Sequence, residues 1–88
     1  MFLSLSASAQ QITAFGQVLD AQKEPLIGVS VQEKGTSNGA ITDLDGNFTL
    51  NVKQNAILIF SYVGYKSQEV KAAQQMKITL QEDNEVLD

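Results

Sequence analysis

Residues 46–65 read GNFTLNVKQNAILIFSYVGY, and their pattern decides the fold. Phe48, Leu50 and Val52 alternate with Asn47, Thr49 and Asn51, the two-residue period of a strand with one apolar and one polar face. After a polar turn, Ile57 to Tyr62 is apolar on both faces, which predicts a strand buried in the middle of a β-sandwich. Gly64 then breaks the run.

Working outward, the flanking sequence repeats the same grammar. Ile12 to Asp20 predicts a first strand, with Ile12, Ala14, Gly16 and Val18 on one face and Phe15 and Leu19 on the other. Ala21 to Pro25 is a polar turn, and Gly28-Val29-Ser30-Val31 starts a second strand with both valines inward. The turn Gly35 to Gly39 leads to a short third strand, Ala40 to Thr42. Asp45-Gly46 is then the strongest hairpin signal in the chain. Lys66 to Lys71 reads as an edge strand, with Val70 its main core candidate and charges elsewhere. Met76, Ile78 and Leu80 alternate with Lys77, Thr79 and Gln81 in a seventh strand. Apolar spacing of helical period is nowhere convincing. About seven short strands between frequent turns predict an all-β fold, a small Greek-key β-sandwich.

The composition removes whole classes of chemistry. At 88 residues the chain is one domain, burying about 60–65% of its unfolded surface. It has no cysteine and no histidine, so disulfides, cysteine-based zinc sites and every histidine-activated nucleophile are out of reach. The net charge is −4, there is no arginine, and the lysines are scattered. Nucleic acid is therefore excluded as a partner, since it needs a basic stripe to displace counterions. The opening MFLSLSASAQ is too short to cross a membrane as a helix. Its Ala7-Ser8-Ala9 before Gln10 reads as the end of an export signal. The expected organisation is a signal remnant over 1–9, a domain over 10–81 and an acidic linker over 82–88.

Candidate sites are few. Asp43, Asp45 and Asn47 share the spacing of the start of a calcium loop, but the later liganding glutamate is missing, and the competing reading is a turn whose carboxylates accept backbone N–H groups. They are weak calcium candidates, and no metal or other cofactor is expected. Ser61 has no histidine to activate it. Tyr62 continues the row of Leu58 and Phe60, which makes it a core or core-rim tyrosine. Tyr65, just past Gly64, is the better candidate for a partner contact, with Lys66 beside it. The glycines at 16, 28, 35, 46 and 64 read as backbone devices at strand ends and turns rather than as a phosphate cradle.

Five ordered pieces resemble one family. They are Gly16-Gln17-Val18-Leu19-Asp20, Glu24-Pro25-Leu26-Ile27-Gly28-Val29-Ser30-Val31, Lys34-Gly35-Thr36, Thr42-Asp43-Leu44-Asp45-Gly46-Asn47-Phe48 and Phe60-Ser61-Tyr62-Val63-Gly64-Tyr65-Lys66. The series is similar to the carboxypeptidase regulatory-like domain at the N-terminus of SusC/RagA-type TonB-linked outer-membrane receptors. The resemblance covers Gln10 to Asp88, and Asn84 to Asp88 resembles the approach to the TonB box and plug. It implies a transthyretin-like sandwich on the periplasmic face of the outer membrane, non-catalytic, beneath a barrel that imports glycans or peptides with energy from TonB. The implied partners are the plug and barrel of the parent receptor, and TonB or another periplasmic protein. Edge strands also allow self-association. Two further functions fit the residues: a folding or spacer module without ligand, and a carbohydrate-binding module that stacks sugars on Phe15, Tyr62 and Tyr65.

Overall fold

In the computed structural model, residues 10–83 are described; the expected signal remnant and the residues resembling the approach to a TonB box lie outside them. Seven strands follow one another: β1 (Gln11–Leu19), β2 (Ser30–Glu33), β3 (Gly39–Ile41), β4 (Asn47–Lys53), β5 (Ile57–Ser61), β6 (Gln68–Lys71) and β7 (Gln75–Thr79). They form a three-stranded sheet ordered β4-β1-β7 and a four-stranded sheet ordered β3-β2-β5-β6. The chain changes sheets after β1, β3, β4 and β6, so the fold is the expected all-β sandwich. All pairings are antiparallel except β1 with β7, which is parallel.

The alternation read from the sequence places the core. Ala14 and Val18 of β1, Phe48, Leu50 and Val52 of β4, and Met76 and Ile78 of β7 point inward from one sheet. Val29 and Val31, Leu58 and Phe60 meet them from the other. Phe48 and Phe60 join the layers edge to face, with ring centroids 5.4 Å apart. Val70 packs against this core from β6, an edge strand as expected.

Three features depart from the sequence reading. β5 is central in its sheet, but Ile57 and Ile59 are only half-buried on its outer face. Among the described residues, no second layer covers them. Ile59 lies between Gln32 and Glu69 across the ladder, and a Lys34–Glu69 ion pair at 2.9 Å links the two flanking sides. Lateral neighbours with long side chains replace the missing layer.

The second departure concerns the Asp45-Gly46 turn. Locally it forms as read: the Gly46 N–H donates to the Asp43 carbonyl at 2.9 Å, and Asp43 Oδ1 accepts from the N–H groups of Asp45 and Asn47. Yet β3 and β4 belong to opposite sheets. The Gly46 carbonyl is taken by the Val18 N–H at 2.8 Å, which captures the outgoing chain for β1. Turn chemistry sets the reversal, and the competition for a ladder partner is won by β1.

The third is Gly16, which sits inside β1 rather than at a strand end, and does not adopt positive φ. A Cβ there would lie 2.1 Å from the Met76 carbonyl oxygen. Its role is to let β1 and β7 approach.

Candidate functional site

The segment Tyr62 to Lys66, between β5 and β6, brings together three of the singled-out residues, Tyr62, Tyr65 and Lys66. It folds as a tight turn in which the Tyr65 N–H donates to the Tyr62 carbonyl at 3.0 Å and Gly64 takes φ +88°. The two tyrosine rings stand 5.5 Å apart at 45°, both half-buried against the core rim. Val63 at the tip is 93% exposed, and Lys66 is exposed beside it.

The chain leaving β7 returns to this turn. Lys66 N–H donates to the Gln81 carbonyl at 2.8 Å, and Asp83 N–H donates to the Gly64 carbonyl at 2.9 Å. Tyr65 and Glu82 form the bridge between these bonds. Ordered pairing thus continues to Asp83, inside the segment read as acidic linker. Desolvation, then the nearby carboxylates of Glu82 and Asp20, raise the Tyr65 hydroxyl above its ordinary pKa. The ring is therefore neutral at physiological pH.

Ser61 immediately precedes this turn, and the remaining candidates lie apart from it. Ser61 is half-buried in the outer row of β5. Asp43 spends its Oδ1 on two turn amides, which is the competing turn reading of the calcium-like spacing. Among the described residues, no three acidic side chains converge as a metal site would require. Phe15 projects from the outer face of β1, 44% exposed, between Thr49 and Gln75. It is therefore on a different sheet from the Tyr62–Tyr65 pair, and the three aromatics do not form one stacking platform.

Sequence reasoning missed two buried polar residues. Thr42, just past β3, accepts from the Val29 N–H at 2.8 Å and donates to the Leu26 carbonyl at 2.6 Å. Glu33, at the end of β2, accepts from Asn38 Nδ2 and from the Lys53 N–H. Asn38 also donates to the Asn51 carbonyl at 2.7 Å. Together Asn38 and Glu33 cap backbone groups on the outer edge of β4. Only the position of Glu33 within the inward row set by Val31 carried a signal in the sequence.

Comparison with known proteins fits this architecture. A family model described as the CarboxypepD_reg-like domain matches residues 14–88. The TonB-dependent receptor SusC of Bacteroides thetaiotaomicron is 51% identical over 88 residues, which is 100% of this chain and 9% of that receptor. The TonB-dependent receptor P39 of Formosa agariphila is 37% identical over 76 residues, covering 83% of this chain and 7% of the receptor. The chain thus spans under a tenth of each of these relatives. Among solved structures, 3-chlorocatechol 1,2-dioxygenase from Rhodococcus opacus 1CP superposes with a TM-score of 0.59 at 15% identity, over 90% of this chain and 62% of that one. At that identity the likeness is one of fold alone. The five-piece motif series, the seven-strand sandwich and the family match over residues 14–88 together make this chain a member of the CarboxypepD_reg-like domain family, in the form found in TonB-dependent receptors.

Proposed function

We propose that the domain is a non-catalytic accessory and interaction module on the periplasmic face of an outer-membrane nutrient importer. The observation that carries this reading is the 51% identity to SusC across the whole chain. The partner contact is assigned to the turn carrying Tyr65 and Lys66. Three of the four sheet edges are poor routes for strand addition: β4 is capped by side chains, β6 presents Glu69 and Lys71, and β3 has only three residues; the outer edge of β7 is the fourth. The plug and barrel of the receptor, and TonB or another periplasmic protein, are the partners this surface would meet.

An import assay tests the reading. The full receptor is compared with one lacking Gln10 to Leu80, with barrel abundance in the outer membrane measured in parallel. Loss of import at normal abundance is the expected result. Import and abundance falling together would instead support a folding or spacer role, which the absence of a shared aromatic platform also favours over carbohydrate binding.

A further inference from the structure

The strand directions sort the connecting loops into two ends. One end carries 34–38, 54–56 and 72–74, and the other carries 20–29, 42–46 and 62–67. Exposed side chains at the first end are polar or small throughout. The second end presents Ile27, Leu44 and Val63, which are 51%, 76% and 93% exposed. Ile41, the last residue of β3, is 62% exposed beside them. Among the described residues, Phe15 is the one large apolar side chain exposed elsewhere. Exposed apolar residues scattered singly are ordinary, but a set collected at one end marks an interaction surface.

These tips stand on a fixed frame. The Gly28 N–H donates to the Thr42 carbonyl at 3.1 Å, and the Thr42 N–H donates to the Val29 carbonyl at 3.0 Å. A Cβ on Gly28 would lie 3.5 Å from the Tyr62 ring, so the loop before β2 also abuts the turn after β5. The backbone beneath the tips therefore has little freedom left to lose on docking. The same end is acidic. Asp20, Glu24, Asp43, Asp45, Glu82 and Asp83 lie there against Lys23 and Lys66, whereas lysines outnumber carboxylates four to two in the rest of the described residues.

We infer that this end is a docking face for the receptor's own polypeptide beyond this domain, and that the surface it meets is apolar with a basic surround. The inference rests on the reading of the domain as a receptor module and deepens it by naming the contact. Two observations select that occupant. The chain runs on from Asp83 at this end, where the Asp83 N–H is held by the Gly64 carbonyl next to Val63, and it spans only 9% of the SusC relative. A short tether from the docking face itself holds the following region at an effective concentration on the order of millimolar, at which a shallow apolar face suffices. The excess of carboxylates sets the sign of the partner, since basic side chains complement it and acidic ones are repelled. A second copy of the domain would bring the same acidic end and is disfavoured for that reason.

Photo-crosslinking in the full receptor tests the assignment. Benzoylphenylalanine replaces Leu44 or Val63 in one set and Ser37 or Gln54, at the polar end, in the other; all four positions are exposed, so the core is untouched in each. Isolated cell envelopes with matched receptor abundance are irradiated at about 0.1 M and about 1 M salt, and crosslinked peptides are identified by mass spectrometry. The expected result is a crosslink from positions 44 and 63 into later residues of the same polypeptide, in several-fold higher yield than from 37 and 54, and weakened at the higher salt. Yields no higher than from the polar end, capture of a separate protein alone, or yields indifferent to salt would each overturn the docking face. The import test stands apart from this one. Import lost on deletion without these crosslinks keeps the accessory role and sinks the docking face, and unchanged import with them does the reverse.

Discussion

Gly16 and Thr42 show how single residues hold elements that the rest of the chain cannot position. A methyl group at position 16 would collide with backbone, not with a flexible side chain that could turn away. Gly16→Ala is expected to destabilise the domain by about 1–3 kcal/mol, the usual cost of overpacking, and a shift of the urea midpoint would measure it. An unchanged midpoint would mean that β7 relaxes at no cost. Thr42 bridges the loop before β2 to the start of that strand through one hydroxyl. Thr42→Val keeps the shape but orphans a buried donor and acceptor, with an expected loss of about 1–3 kcal/mol. Thr42→Ser keeps both bonds and gives up one methyl, worth about 0.8 kcal/mol. Equal losses in the two variants would show that packing, not the hydroxyl, is what matters.

At the scale of elements, the returning segment Gln81–Asp83 is the least expected feature. Its composition is polar and acidic, and nothing in it alternates, so its pairing with Gly64–Lys66 left no trace in the sequence. Backbone bonds need no particular side chain, which is why such a contact escapes pattern reading. It has a consequence for pH. Tyr65 is held above its ordinary value of 10.0 in the folded chain by desolvation and by Glu82 and Asp20. Between that value and the raised one, the folded state retains a proton that the unfolded state has lost, so stability falls as pH rises. Tyr65→Phe removes this component. Urea midpoints from about pH 9 to about pH 11 are expected to decline less steeply in the variant. Parallel declines would mean that the folded-state environment does not perturb the ring.

The strands themselves were legible for a plain reason. β4 and β7 alternate without a break, and their buried residues are the ones the period selects. β5 was legible as a strand but not in its surroundings, because an apolar run looks the same whether a layer or a row of long side chains shields it. The Asp45-Gly46 turn was likewise read correctly as a reversal and incorrectly as a junction within one sheet.

For the whole molecule, a sandwich of this size has a thin core and no covalent staple, so its order rests on two sheets burying each other. The candidate site was legible only in part. Tyr62 as a rim tyrosine followed from its row with Leu58 and Phe60, whereas its stacking with Tyr65 depends on a turn whose geometry is completed by chain from beyond β7. By itself the sequence determined the strands, the faces they bury, the turns and the family, because each is written in local period, turn chemistry or motif order. The tertiary structure alone decided which strands pair, including the parallel β1–β7 ladder, and where the chain leaves the domain. Those choices are made between segments far apart along the chain, where backbone groups compete for partners and side-chain pattern is silent.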